Sequence, residues 1–374
     1  MDGFGKSRIS EINWFRAWIF SCLLALLIAT PLAAQTPAQD VANGLIAHEK
    51  KDEATALRLF ERACTGRITA GCYNLALAYE FGRGVTADLP RAAALYEKAC
   101  NAEDAKGCTY LGSSYGSGKG VVRDMTRANA LFDKGCNMGD GEGCTILAAQ
   151  YRSGTGVTRD LTRAHDLFEK GCATGNARGC NILAEIYRSG TGVPIDLARA
   201  ESLSEKACNA GSSSSCLQLG IKYASGTGVA RDEIRAAGFF DKACNTVYVS
   251  FQGCFNLAVF YENGKGVTRN MARANELYDR SCTGMEYRAC LNLGYNYQNQ
   301  RGIARDLTGA QALLRAIPFY ERACRGGNGS GCFNLGNFYR DGTGVTGNPA
   351  RAQLYYQQAC KAGHQESCRI ASAP

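Results

Sequence analysis

Histidine is scarce in this sequence, which contains only His48, His165 and His364 among 374 residues. The three are far apart and lack ligand-like spacing, and the cysteines lack the short spacings of zinc sites. We therefore expect no metal site and no cofactor. His165 replaces other polar residues of a helix and is predicted to be solvent-exposed.

The sequence also lacks a strong excess of positive or negative residues. The formal net charge is +8, and the basic residues are scattered along the chain. Nucleic-acid binding proteins concentrate basic residues on one face, so the sequence predicts no nucleic-acid partner. With 45% hydrophobic and 20% charged residues, a disordered chain is also excluded.

Several catalytic motifs are absent. No serine is followed by lysine three positions later, as a serine β-lactamase requires. The Gly-x-Gly-Val segments follow a predicted helix and lack the Gly-Lys-Ser/Thr ending of a phosphate-binding loop. A thiol oxidoreductase is a further alternative, but Cys-x-x-Cys is missing. The sequence favours a protein that is not an enzyme.

The first residues are typical of a secretory signal peptide. Three basic residues precede an apolar run from Ala17 to Ala29, and small residues follow up to Ala34. The run is short for a membrane span, which needs about 20 apolar residues. We expect residues 1–34 to be removed and the protein to be secreted or periplasmic. An uncleaved segment would be its only membrane attachment.

Cysteine is abundant, with 19 residues. Cys22 lies in the predicted signal peptide, which leaves an even number suited to disulfides in an oxidising compartment. The separation within a pair is 8 residues, or 10 once, and the period is 36, or once 38 and once 42. The pairs are Cys64 and Cys72, Cys100 and Cys108, Cys136 and Cys144, Cys172 and Cys180, Cys208 and Cys216, Cys244 and Cys254, Cys282 and Cys290, Cys324 and Cys332, and Cys360 and Cys368.

The nearly constant period predicts an all-α solenoid of helix pairs. In residues 65–100, Cys72, Ala76 and Tyr79 have the spacing of one helix face. Two glycines end this first helix, and Asp88 is a predicted N-cap of the second. The predicted N-caps of the successive second helices are Asp88, Asp124, Asp160, Asp196, Asp232, Asn270, Asp306 and Asn348.

This frame predicts eight repeats in residues 65–360. Residues 35–64 are predicted to form an N-terminal capping helix pair, and residues 361–374 a closing helix and tail. One repeat is irregular, because Gln300 replaces a loop glycine and Pro318 falls within the second helix. We expect that proline to kink or break the helix.

The motif L-[AG]-x-x-Y-x-x-G-x-G-V-x-x-D, followed by A-x-x-[LF]-[FY]-x-x-[AG]-C, resembles the Sel-1-like repeat, a relative of the tetratricopeptide repeat. The resemblance covers about residues 65–370. The Cys-x7-Cys spacing is similar to the cysteine-rich secreted bacterial branch. The resemblance implies a right-handed α/α superhelix that binds proteins or peptides. Some members of that branch are called β-lactamases, so a hydrolase of β-lactams or cell-wall peptide is the alternative function.

Two disulfide pairings fit antiparallel neighbouring helices. Cys64 could bond to Cys72 between adjacent units, or Cys72 to Cys100 within one unit. The first scheme uses all 18 cysteines, whereas the second leaves Cys64 and Cys368 unpaired. We therefore predict bonds between the members of each close pair, acting as structural links between helices.

The first helix of each repeat also predicts a binding face. If the cysteine and positions +3, +4 and +7 from it are buried, positions +2, +5, +6 and +9 line the concave side. An asparagine row at +2 could hold a peptide backbone, because asparagine both donates and accepts hydrogen bonds. A solvated helix face would explain the same pattern. The predicted contact residues for a protein or peptide bound to a monomer are Asn256, Asn292, Tyr295, Asn296, Asn334, Asn337 and Phe338.

Overall fold

The structure is a computed structural model that describes residues 36–303 and 308–372. All regular elements in these ranges are α-helices, which confirms the predicted fold class. They fall into two compact units, one ending at Met138 and the other beginning at Gly139. Within these ranges, no helix has both the length and the apolarity to cross a membrane. The predicted signal peptide, 1–34, lies outside them.

The helices alternate between two types. Odd-numbered helices are called helix A, and even-numbered helices are called helix B. The first unit contains α1 (Pro37–Glu49), α2 (Glu53–Thr65), α3 (Thr69–Phe81), α4 (Leu89–Asn101), α5 (Ala105–Ser117) and α6 (Met125–Asn137). The second contains α7 (Gly141–Ser153), α8 (Leu161–Ala173), α9 (Ala177–Ser189), α10 (Leu197–Asn209), α11 (Ser213–Ser225), α12 (Glu233–Asn245), α13 (Phe251–Asn263), α14 (Met271–Thr283), α15 (Tyr287–Gln298), α16 (Gly309–Arg325), α17 (Gly329–Asp341), α18 (Pro349–Lys361) and α19 (Gln365–Ala371).

Local sequence sets the ends of these helices. Helix α3 ends at Gly82, whose φ of 67° lies in the left-handed region that glycine adopts at low cost. Helix α4 begins after Asp88, which accepts a hydrogen bond from the Arg91 amide at 3.0 Å. The same N-cap bond forms at the other predicted positions within the described residues. Asp306 lies outside them, and Thr308 caps α16.

The irregular repeat keeps its helix. Gln300 adopts a φ of 51°, so it takes over the left-handed backbone of the glycine it replaces. Helix α16 runs unbroken through Pro318, and the prediction that the proline breaks it is wrong. Both Pro318 and Leu314, whose carbonyl loses its helical donor, are on the exposed side of the helix. Water can therefore reach the freed carbonyl, which lowers the cost of the proline.

Within each unit, the predicted disulfides join the end of a helix B to the next helix A. In the first unit, Cys64 bonds to Cys72 and Cys100 to Cys108, with Cα atoms 4.4 and 4.5 Å apart. Six more bonds in the second unit have Cα separations of 4.5–4.8 Å: Cys172–Cys180, Cys208–Cys216, Cys244–Cys254, Cys282–Cys290, Cys324–Cys332 and Cys360–Cys368. Cys136 and Cys144 are disulfide-bonded as well. Within each unit, the bonds therefore connect consecutive repeats, as predicted.

Candidate binding site

The predicted asparagine row is partly engaged inside the protein. Asn256, Asn292 and Asn334 are half-buried on α13, α15 and α17. The Tyr278 hydroxyl donates a hydrogen bond to Glu262 at 2.6 Å, and Asn292 lies beside it. The Tyr320 hydroxyl donates to Gln298 at 2.6 Å, and Asn334 lies beside it. Two members of the row thus border buried, hydrogen-bonded hydroxyl groups of helix B, which limits the surface that they offer to a partner.

Two of the seven predicted contact residues are not accessible. Asn296 is 1% exposed and donates a hydrogen bond to Asn275 at 2.8 Å. Phe338 is 3% exposed, and its ring centroid lies 5.9 Å from that of Tyr320. Both occupy position +6 of helix A, which packs against the preceding helix B. Their assignment to the ligand-contacting surface is therefore corrected.

The remaining two predicted contacts lie near this row. Tyr295 is 49% exposed, and the Arg301 guanidinium lies 5.8 Å from its ring centroid. Asn337 is half-buried and accepts a hydrogen bond from the Tyr356 hydroxyl at 2.8 Å. Tyr295 is thus the most accessible of the seven residues.

A recess recurs between helix B and its two neighbouring helices A, and we call it the helix-B recess. Around Phe168 of α8 it has a volume of about 190 Å³. Helix α9 lines this recess with Ile182, Glu185, Ile186 and Ser189. These are the positions +2, +5, +6 and +9 from Cys180, so the positions predicted from the helical period do border a recess.

An aromatic ring normally fills this recess. In the described part of the chain, eight of the nine helices B carry a buried tyrosine or phenylalanine at one equivalent position, and α10 carries Ser204 instead. The eight rings belong to Phe60, Tyr96, Phe132, Phe168, Phe240, Tyr278, Tyr320 and Tyr356.

The recess without a ring is larger than the recesses at Phe60 and Phe168. The recess at Phe60 measures about 20 Å³, and the one at Ser204 measures about 680 Å³. The Ser204 side chain reaches only its own helix and one arginine. Its hydroxyl donates to the Ala200 carbonyl at 2.8 Å and accepts from Arg188 at 3.3 Å. Loss of the ring thus leaves an open site between α9, α10 and α11.

Charged side chains surround the Ser204 recess in pairs. Arg188 is paired with Glu185 on α9, and Lys222 of α11 donates to Glu201 of α10 at 2.9 Å. Tyr223 also donates to Glu201, at 2.5 Å. The recess therefore presents two cations and two anions, each with a partner.

The carboxylate of Glu201 stays ionised in this setting. Partial burial raises the pKa of Glu201, but the hydrogen bonds from Tyr223 and Lys222 outweigh burial and hold it below the ordinary value of 4.5. Burial and the neighbouring Glu201 raise the pKa of Tyr223 to about 12. Glu201 thus remains an acceptor at neutral pH, and Tyr223 remains a donor.

The apolar part of the recess comes from Leu197, Ala198 and Ala200 on α10 and from Leu219 on α11. Leu197 is exposed at the rim, whereas Ala200 and Leu219 are buried. A polar border around an apolar floor is the usual composition of a ligand site. The sequence contained a signal for this site, because Ser204 breaks an otherwise aromatic series.

The other candidate residues of the described ranges lie within helices or recesses. His165 is largely buried in the Phe168 recess, where its Nε2 lies 3.0 Å from the Tyr187 hydroxyl oxygen, so its predicted exposure is wrong. No cluster of three metal-ligating side chains occurs in the described ranges. Residues 112–116 have the sequence Gly-x-Ser-x-Gly, which is typical of a nucleophile elbow. They lie inside α5, however, and Ser114 donates to the Tyr110 carbonyl. A nucleophile elbow needs a strand-to-helix turn instead.

Two solved structures of bacterial proteins have the same architecture. A protective antigen of uropathogenic Escherichia coli with an SLR fold is 24% identical, with a TM-score of 0.55 over 90% of this chain and 71% of that one. A Sel1 repeat protein from Oxalobacter formigenes is 23% identical, with a TM-score of 0.52 over 65% of this chain and 99% of that one. These similarities show a shared fold.

A short stretch also matches the Helicobacter pylori protein HcpC, which carries the provisional name of a β-lactamase. The identity is 38% over 64 residues, which cover 17% of this chain and 22% of HcpC. The chain thus matches only about a fifth of that relative.

The Sel1 repeat matches nine segments, which together span most of the chain. The first, 42–66, covers part of the expected N-terminal capping pair. The segments are 42–66, 69–104, 105–140, 141–176, 177–212, 213–245, 252–284, 288–328 and 329–364. On this match and on the helix-pair architecture, the chain belongs to the Sel1 repeat family.

Proposed function

We propose that this protein is an interaction scaffold that binds an extended segment of another protein at the helix-B recesses of its second unit. The observation that carries the proposal is the recess of about 680 Å³ at Ser204. Its volume falls within the range of about 300–1,000 Å³ that is usual for ligand sites. The neighbouring recess at Phe168 shares Glu185 with it, so a bound segment can contact both.

The chemistry of these recesses suits a peptide. The charges at the Ser204 recess are paired, and Gln218 adds an amide that can donate and accept hydrogen bonds. Apolar side chains form the floor, as in the buried centre of protein interfaces. A chain segment with both polar backbone and apolar side chains matches this combination.

The disulfides favour binding by a preformed surface. Cys172–Cys180 fixes α8 to α9, and Cys208–Cys216 fixes α10 to α11. Each recess therefore contains one pair of helices whose ends are held together by a disulfide. A rigid surface loses little conformational entropy on binding, which improves affinity.

A second contact region is proposed along the asparagine row. Asn256, Asn292 and Asn334 are half-buried and retain some accessible surface, and Tyr295 lies exposed nearby. Replacement of Asn292 and Asn334 by alanine should weaken capture of a partner from envelope extract. Unchanged capture would remove the row from the binding surface.

We further propose that the protein acts outside the cytoplasm as a monomer. Eighteen disulfide-bonded cysteines are typical of an oxidising compartment. Residues 1–34 would be the cleaved signal peptide, and residues 35–64 and 361–374 would cap the eight repeats of 65–360. Amino-terminal sequencing of the exported protein tests the cleavage, and light scattering tests the monomer.

Selection from a displayed peptide library on the oxidised protein tests the main proposal. We expect enriched peptides to slow amide hydrogen exchange in α9–α11. Peptides enriched on a heat-denatured, reduced sample serve as the control for non-specific binding. Failure to enrich any sequence, or protection confined to helices remote from α9–α11, would contradict the proposed site.

The hydrolase alternative rests on the name of HcpC, of which only 22% is matched. The chain has no serine followed by lysine three positions later, so the usual nucleophile and its activating lysine are missing. We expect purified protein not to hydrolyse nitrocefin above the rate of a denatured sample. Turnover that survives further purification would favour the hydrolase.

A further inference from the structure

We propose that the Ser204 recess binds an aromatic side chain of the partner segment, whose ring occupies the space that Phe168 fills in the preceding repeat. This inference rests on the proposed function and specifies one contact of it. The Phe168 recess serves as a template for the Ser204 recess, because the two are formed by equivalent residues that lie 36 positions apart.

The template shows what a ring contacts at this position. Phe168 is fully buried, and the Arg152 guanidinium carbon lies 5.5 Å from its ring centroid. Arg152 precedes Phe168 by 16 residues, as Arg188 precedes Ser204. The Phe168 ring thus projects from helix B, and a guanidinium group lies over its face.

The empty recess keeps the surroundings of that ring. Ala148 and Ala184 occupy the same helix-A position, Ala164 and Ala200 the same helix-B position, and all four are buried. Arg188 reaches the Ser204 hydroxyl, so its guanidinium lies at the recess. A partner ring can therefore meet an apolar floor and a cation.

The differences between the two recesses explain why the ring must come from outside. Ile182 and Ile186 of the Phe168 recess are replaced by Gln218 and Lys222 at the Ser204 recess. These side chains do not fill the volume of a ring, and Lys222 is held by Glu201. The recess stays open because the residues at these two positions are polar and do not fill it.

Pairing of the charges argues for a neutral occupant. Arg188 and Lys222 are balanced by Glu185 and Glu201, so neither an anion nor a cation gains a net attraction. An aliphatic side chain could pack on the apolar floor, but it has no π face to interact with the Arg188 guanidinium. An aromatic ring satisfies both features.

Fluorine NMR with N-acetyl-4-fluorophenylalanine amide as the probe tests this subsite on the full oxidised chain. We expect saturable broadening of the probe signal with wild-type protein and with Ser204→Ala. Ser204→Phe should abolish it, because the new ring fills the recess as Phe168 does. Arg188→Gln should weaken probe binding several-fold, and N-acetyl-leucine amide should displace the probe more weakly than N-acetyl-phenylalanine amide.

The variants also separate this inference from misfolding. Ser204→Phe should unfold at a temperature no lower than Ser204→Ala, since Phe is the residue type used at this position elsewhere. No saturable broadening with wild-type protein, equal broadening with Ser204→Phe, or equal displacement by the leucine amide would overturn the subsite. If selected peptides protect α9–α11 but tolerate loss of every aromatic residue, the scaffold function stands and this inference fails.

Discussion

Arg235 lies over the ring of Tyr223, with its guanidinium carbon 4.0 Å from the ring centroid. The same guanidinium donates to Glu205, which is 30 residues earlier, at 2.5 Å. One arginine of α12 thus contacts α11 and α10 together. Equivalent arginine–tyrosine contacts of 4.3–4.5 Å occur at Arg91–Tyr79, Arg127–Tyr115, Arg163–Tyr151, Arg199–Tyr187 and Arg351–Tyr339.

Replacement of Arg235 by alanine should loosen the contact between consecutive repeats. A cation–π contact contributes about 0.5–2 kcal/mol, and an exposed ion pair contributes at most about 1 kcal/mol. We expect a loss of about 1–2 kcal/mol, seen as faster amide exchange in α10–α12. Arg273 is the matched control, because it pairs with Glu276 on its own helix. An equal effect of Arg273→Ala would contradict the special role of Arg235.

The elements were predictable because they depend on local chemistry. Asp88 as an N-cap and Gly82 as a helix end follow from spacing within one repeat, and the pairing of cysteines follows from the scheme that leaves none unpaired. The burial of Asn296 and Phe338 was not predictable from the helical period, because the preceding helix B covers their side. Ser204 was visible as the break in the aromatic series. The sequence could not show that Ser204 leaves a recess, because this depends on one ring filling the space between three helices.

Removal of one disulfide should lower stability without changing the fold. Closing a loop of nine residues contributes about 2–3 kcal/mol through the unfolded chain. We expect Cys208→Ala with Cys216→Ala to lower the free energy of unfolding by about that amount, measured by denaturant titration. The helical circular dichroism of the folded state should be unchanged. If the double variant unfolds at the same denaturant concentration as wild type, the bond is not a stabilising link.

Acid should remove the contribution of Glu201 to stability. Its folded-state pKa is lowered, so its contribution is present above the ordinary pKa of 4.5 and is lost as pH falls through the folded value. Glu201→Gln should destabilise the protein by about 1–3 kcal/mol at neutral pH, because bonds from Tyr223 and Lys222 lose the charge of their acceptor. Urea titrations should show the difference from wild type shrinking toward acid pH. A difference that is constant across pH would contradict this assignment.

Two glycines at the same loop position separate backbone strain from crowding. Gly120 and Gly228 both have a φ of 73°, so alanine at either site incurs a conformational cost of about 1–2 kcal/mol. At Gly120 the added Cβ would also lie 2.2 Å from the Leu89 carbonyl oxygen, whereas at Gly228 it would meet nothing within 4 Å.

We therefore expect Gly120→Ala to destabilise its unit more than Gly228→Ala destabilises the other. Local amide exchange in α4–α5 for the first variant, and in α10–α11 for the second, measures each effect in its own unit. The comparison also probes the Ser204 recess, because Gly228 lines it. A Gly228→Ala variant as unstable as Gly120→Ala would mean that the open space beside α10 is closed in solution.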